Sequence, residues 1–134
     1  MNQIQKFFLL KALAPFNELR DSELGIVTEV AVEYHYKCGQ VVASAGSVLY
    51  RLYVVAEGGL EPVEGVALPA VVGTPSLLFD YPLSRNLVAS RETGALCLAI
   101  KKGHLFTIFH ECPAFVVGLM ELVRHENLYE RPSK

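Results

Sequence analysis

Residue types that could bind an anion lie close together in two short segments, Gly73-Thr74-Pro75-Ser76 and Pro82-Leu83-Ser84-Arg85. Backbone N–H groups at the start of a helix and an arginine side chain are the groups that proteins use to bind phosphate. Pro75 removes one of those N–H groups. A simple helix start, with Thr74 as the N-cap of a short helix that runs to Leu78, is therefore the favoured interpretation. An anion site is the alternative.

The histidines, serines and carboxylates lack the spacing of catalytic or metal sites. His104 and His110 are six residues apart, which is not the spacing of a zinc-binding pair on a helix. Ser76 and Ser84 have no Gly-x-Ser-x-Gly context, and no two carboxylates are placed for acid/base catalysis. The sequence therefore predicts a protein that is not an enzyme, with no catalytic residue, metal ligand or cofactor.

Composition predicts a single domain that neither binds nucleic acid nor spans a membrane. The chain has 134 residues, of which 51% are hydrophobic, and its 12 basic and 14 acidic residues form no basic stripe. The apolar runs are shorter than the about 20 residues that cross a bilayer, and no signal peptide is recognisable. The three widely spaced cysteines, Cys38, Cys97 and Cys112, predict buried or unreactive thiols in a cytoplasmic protein.

Hydrophobic residues recur at helical spacing near both ends of the chain and alternate in between. The predicted helices are Ile4 to Leu13, about Ser22 to Val30 with Asp21 or Ser22 as its N-cap, Lys102 to His110, and Pro113 to about Leu128. The predicted strands are Val32 to Tyr36, Val41 to Ala43, Leu49 to Ala56, Leu60 to Val63, Val66 to Leu68, Asn86 to Ser90 and Ala95 to Ile100. Glycines separate the strands about every ten residues, as in a β-sandwich or barrel.

Several short motifs follow one another in an order that is more specific than any of them alone. They include Leu19-Arg20-Asp21-Ser22-Glu23-Leu24, Tyr36-Lys37-Cys38-Gly39, Leu52-Tyr53-Val54-Val55-Ala56-Glu57-Gly58, and the segment from Gly73 to Arg85. This order resembles the cyclic nucleotide-binding domains over about residues 4–128. The resemblance implies a mainly β fold with flanking helices, a double-stranded β-helix (jelly-roll) barrel. The single domain, 1–134, would have a helical N-terminus at about 2–30, a barrel at about 31–100 and C-terminal helices at about 102–128.

The resemblance also implies a ligand site, which this sequence alters. The matching positions are Gly73, Thr74, Ser76, Leu83, Ser84 and Arg85. Thr74 stands where the family has the glutamate that binds ribose, and Leu83 stands where it has the arginine that binds the cyclic phosphate. Arg85 lies two residues further on, on the same face as Leu83 if both are in a strand. Because the lost arginine contact is worth about 2 to 5 kcal/mol, we expect a small anionic ligand or a cyclic nucleotide to bind weakly at best.

The last predicted helix is apolar nearly all round from Ala114 to Val123. Such a helix needs a second surface to cover it, which predicts a homodimer with Phe115, Leu119 and Leu122 near the two-fold axis, or a contact to another domain. A well-buried terminal helix is the alternative.

Three functional hypotheses follow. The preferred one is a non-catalytic regulatory or sensor module whose nucleotide site is lost or altered. The second is a structural or interaction domain, such as one module of a larger transporter or signalling protein. The third, a cupin-type enzyme, needs a His/Glu metal cluster on facing strands, which the sequence does not indicate.

Overall fold

The computed structural model describes residues 1–62, 68–123 and Tyr129. Its helices are α1 (Gln3–Lys11), a short 3-10 helix (Phe16–Glu18), α2 (Asp21–Val30), α3 (Thr74–Phe79), α4 (Lys102–Phe109) and α5 (Pro113–Leu122). Its strands are β1 (Val32–Tyr36), β2 (Val41–Ala43), β3 (Arg51–Gly58), β4 (Leu60–Pro62), β5 (Val71–Val72), β6 (Leu87–Ala89) and β7 (Ala95–Lys101). The predicted order of helix, strands and helix is confirmed.

Differences from the predicted elements occur mainly at short or terminal segments. The two-residue strand β5 was not predicted, because two residues are too few to show alternation. Leu68 is not in a strand, and the rest of the strand predicted from Val66 lies outside the described residues, as does Val63. The part of the last helix predicted beyond Val123, with His125, lies outside them too.

The strands form two antiparallel sheets, one of four strands in the order β1-β7-β3-β5 and one of three in the order β2-β6-β4. The longest pairing joins β3 to β7, from Arg51 opposite Lys101 to Gly58 opposite Ala95. The fold is therefore mainly antiparallel β, and helices precede and follow the strands in the sequence.

Alternation along β3 and β7 gives the four-stranded sheet two apolar faces. Leu52 and Val54 of β3 pack with the helices in one cluster, which we call the helical core. Tyr53, between them, belongs to a second cluster. The members of this inter-sheet cluster come from both sheets and nearby segments: Leu49, Tyr53, Leu60, Val72, Leu83, Leu87, Ala89, Ala95, Cys97, Ala99 and Tyr129. The sheet is therefore covered by helices on one face and by the second sheet on the other.

The start of α2 differs from its prediction. Arg20, rather than Asp21 or Ser22, is the N-cap residue, and its backbone N–H donates to Glu23 Oε1 at 2.9 Å. The Arg20 guanidinium also contacts the other carboxylate oxygen at 3.1 Å, and this partner lowers the pKa of Glu23. The side chain three residues into the helix thus supplies the capping acceptor.

Helix α5 is packed inside its own domain. Phe115 and Leu119 are fully buried, and the Phe115 ring lies 5.2 Å from that of Phe16. The expectation that these two side chains lie at a dimer axis is therefore wrong, because the helical core already covers them. The exposed large hydrophobic residues of α5 are Val117 and Met120. Dimerisation itself stays a prediction.

Candidate ligand-binding site

The site predicted from sequence begins where β5 leads into α3. Gly73 is the N-cap residue of α3 and has a φ of 115°, a conformation that favours glycine. A Cβ atom at this position would lie 3.1 Å from the carbonyl oxygen of Arg51 on the neighbouring strand. The glycine that matches the family motif is therefore required by the backbone of the turn itself.

Thr74 does not cap α3, contrary to its prediction. It is the first helical residue after Gly73, and α3 has no side-chain cap hydrogen bond. Its side chain is instead fully buried, as is that of Ser76. The helix also continues to Phe79, one residue beyond the predicted end. A threonine at this position is therefore part of the packed interior and offers no carboxylate to a ligand.

Leu83, the next residue of the predicted site, is buried in the interior. Its side chain is 2% exposed and belongs to the inter-sheet cluster. Its backbone is held in place by two hydrogen bonds: the Leu83 N–H donates to Ser47 O at 2.8 Å, and the Gly46 N–H donates to Leu83 O at 2.7 Å. The residue predicted to stand in place of the family's arginine is thus a buried apolar side chain on an anchored backbone.

Ser84 is exposed and Arg85 is half-buried. Neither lies in a strand, since residues 80–86 have no strand structure and β6 begins at Leu87. The idea that strand alternation aligns Arg85 with Leu83 is therefore wrong. Of the predicted site residues, Thr74, Ser76 and Leu83 are buried, and Ser84 is on the surface.

A residue far along the chain completes this packing. The hydroxyl of Tyr129 lies 2.8 Å from Ser76 Oγ, and its side chain is 9% exposed within the inter-sheet cluster. Phe79, the last residue of α3, and Tyr81, which follows the helix, are 45% and 41% exposed. The interior beside α3 is thus filled by Leu83 and Tyr129, and no local sequence pattern indicated the contribution of Tyr129.

Three tyrosines that were not predicted as a group lie on the face of the four-stranded sheet that contacts the inter-sheet cluster. Tyr34 and Tyr36 of β1 stack with their ring centroids 6.1 Å apart, and Tyr53 of β3 is 6% exposed. Strand β7 lies between β1 and β3, with Cys97 opposite Tyr34 and Ala99 opposite Tyr53. The small side chains of β7 leave room for the rings on either side. Alternating small residues on one strand were the signal that could have identified this arrangement.

Two of these tyrosines have raised pKa values, and one cation lies beside the group. Burial raises the pKa of Tyr36 and of Tyr53 above the ordinary value of 10.0. The guanidinium carbon of Arg51 lies 5.2 Å from the ring centroid of Tyr34 and 4.9 Å from that of Tyr50, a cation–π geometry. Arg51 is thus held between two rings at the start of β3.

Of the three cysteines, Cys97 has the predicted buried thiol, whereas Cys38 is exposed and Cys112 is half-buried. Cys97 is fully buried, and burial raises the pKa of its thiol to about 11. Cys38 is exposed, and Cys112 is half-buried with its Sγ 3.6 Å from the carbonyl oxygen of Glu18. The Cys97 side chain therefore acts as a small apolar group.

Within residues 1–62 and 68–123, histidine, cysteine and carboxylate side chains form no group of three or more that could hold a metal ion. His35 has a carboxylate neighbour, Glu33 Oε2, at 2.7 Å from its Nε2. No helix in this part of the chain combines the length and hydropathy needed to cross a bilayer.

Neither a protein-family model nor a curated protein matches the sequence. Solved structures do match the fold. The sensor domain of the transcriptional regulator DNR from Pseudomonas aeruginosa has a TM-score of 0.74 at 13% identity, over 91% of this chain and 88% of that one. A Geobacter metallireducens protein described as a cyclic nucleotide-binding protein has a TM-score of 0.68 at 22% identity, over 86% and 89%.

The regulatory domain of Toxoplasma gondii PKA, solved with cAMP, has a TM-score of 0.66 at 14% identity. That match covers 91% of this chain and 48% of the PKA chain, so this protein spans about half of it. We conclude from the antiparallel sheets, the flanking helices and these matching structures that the chain has the fold of the cyclic nucleotide-binding domains.

Proposed function

We propose that this chain is a non-catalytic regulatory or sensor module in which the nucleotide site of the fold is altered. The observation that carries the proposal is the burial of Leu83 in the inter-sheet cluster, at the position that the family motif gives to an arginine. A cyclic phosphate placed there would lose its water and meet an apolar side chain. Losing the partner of a desolvated charge costs about 2 to 5 kcal/mol of binding.

The change at Thr74 also weakens the binding of a cyclic nucleotide. Thr74 is fully buried and has a hydroxyl where the family motif has a carboxylate, so a ribose 2′-hydroxyl would lack its charged acceptor. The family's two charged contacts are then both replaced by neutral groups. A ligand that suits this site is accordingly less charged than a cyclic nucleotide.

The barrel architecture belongs to the same proposal. We infer that the two sheets close into a double-stranded β-helix, because the inter-sheet cluster draws residues from each: Leu60 and Leu87 from one, Tyr53 and Cys97 from the other. The regulatory role is supported by the neighbours, which include a sensor domain and a regulatory domain solved with cAMP.

Isothermal titration calorimetry of the unmodified chain with cyclic AMP and cyclic GMP tests this function. We expect no binding tighter than about 100 µM, since the lost arginine contact removes a few kcal/mol. A low-micromolar constant would refute the altered site. In that event Arg85→Ala should abolish binding and Leu83→Ala should not, which would identify Arg85 as the replacement partner.

A structural or interaction domain is the second candidate, and one observation favours it. Val117 and Met120 on α5 are 57% and 51% exposed, although the opposite side of this helix is buried. An exposed apolar strip of this kind suits a contact with another copy of the chain or with another domain.

A further inference from the structure

Tyr129 is buried next to two residues of the predicted ligand site, Ser76 and Leu83. Its ring is buried in the inter-sheet cluster, in which Leu83 is also a member. Its hydroxyl makes a buried hydrogen bond with Ser76 of α3, 53 residues away in sequence. The contact therefore joins Tyr129 to the segment that was predicted to bind a ligand.

The direction of the hydrogen bonds determines which kind of group can bind at the position of the Tyr129 hydroxyl. Ser76 has a single hydroxyl hydrogen, and it donates that hydrogen to the carbonyl oxygen of Tyr81 at 2.7 Å. Ser76 Oγ is therefore an acceptor towards Tyr129, and the phenol hydroxyl is the donor. A cyclic phosphodiester or an ionised carboxylate offers only acceptors, so neither can donate to Ser76 Oγ as the phenol does.

We propose that Tyr129 is a built-in ligand of this site, so that an external neutral aromatic hydroxyl compound and the chain's own Tyr129 compete for one position. The inference rests on the proposed function, since it takes the altered segment from Gly73 to Arg85 as the ligand site of the module. An external ligand that enters displaces Tyr129, which lies beyond the end of α5 at Leu122. Occupation of the site is thereby coupled to the position of Tyr129.

Chemical rescue tests the proposal. Tyr129→Ala removes the ring and leaves a phenol-shaped cavity, and cavities of this kind bind small aromatic molecules. Phenol at ten times its dissociation constant should then raise the Tm of the variant by about 5 °C. At the same concentration the unmodified chain should show a much smaller rise, because phenol must first displace Tyr129. Equal responses of the variant and the unmodified chain would overturn the proposal.

Two controls separate a specific site from general binding of phenol. Tyr50→Ala removes a tyrosine that is 60% exposed, and phenol should not raise its Tm. Toluene has the shape of phenol without the hydroxyl, so it should bind Tyr129→Ala more weakly than phenol does. Adding Ser76→Ala to that variant should abolish the preference for phenol. A preference that survives Ser76→Ala would contradict the assigned hydrogen bond.

A second variant covers the case in which Tyr129→Ala does not fold. Tyr129→Phe keeps the ring and loses the donor, and its folding equilibrium constant should fall by about fivefold. In a double-mutant cycle with Ser76→Ala, the two changes should be non-additive. Additive effects would refute the contact. The calorimetry tests the proposed function independently, because tight binding of cyclic nucleotides to the unmodified chain would refute that function alone.

Discussion

Gly118 lies inside α5 where this helix crosses the turn that contains Pro15. A Cβ atom on residue 118 would be 2.3 Å from the Pro15 Cβ and 3.3 Å from its Cγ. The proline ring is closed, so its Cβ cannot rotate away from the added atom. Gly118→Ala therefore forces α5 and the turn apart.

The size and sign of the effect follow from two opposing terms. Carbon atoms in contact prefer about 3.5 to 4.0 Å, so the added atom overlaps Pro15 by more than about 1 Å. Overpacking of this kind costs roughly 1 to 3 kcal/mol, whereas alanine in a helix interior gains roughly 0.5 to 1 kcal/mol over glycine. We expect Gly118→Ala to lower the free energy of unfolding by about 1 to 2 kcal/mol.

Urea unfolding followed by circular dichroism measures this change, and Gly25→Ala is its matched control. Gly25 is also in a helix interior, in α2, and an added Cβ there would meet no atom within 4 Å. Gly25→Ala should raise the free energy of unfolding by roughly 0.5 to 1 kcal/mol. If Gly118→Ala proved as stable as Gly25→Ala, the packing of α5 against Pro15 would be refuted.

The remaining predictions concern Leu83 and the exposed side of α5. Leu83→Ala should cost about 2 to 5 kcal/mol in urea unfolding because it opens a cavity in the inter-sheet cluster. Phe79→Ala, at a residue that is 45% exposed, should cost less, and the reverse order would contradict the burial of Leu83. If α5 forms a homodimer, light scattering at tens of micromolar should give twice the chain mass, and Met120→Asp should restore the monomer without loss of fold. A monomer mass for the unmodified chain would exclude that dimer.

Local sequence signals determined the elements and, through their order, the fold. Alternation of Tyr34 and Tyr36 with polar neighbours predicted β1, and helical spacing predicted α2. The need for glycine at residue 73 is also local, because it follows from the backbone conformation of one turn. These signals depend on neighbours a few residues apart, which is why they can be read without the tertiary structure.

The tertiary structure decided how the candidate site is filled. Whether Leu83 faces solvent or the interior depends on the packing of both sheets, and residues 80–86 have no strand period from which to predict it. The bond between Ser76 and Tyr129 spans 53 residues, and neither residue type distinguishes a buried hydroxyl pair from two exposed ones. Burial and partners of this kind arise only when distant segments pack together. The sequence therefore predicted where a ligand site would lie, and only the tertiary structure showed that Leu83 and Tyr129 are buried there.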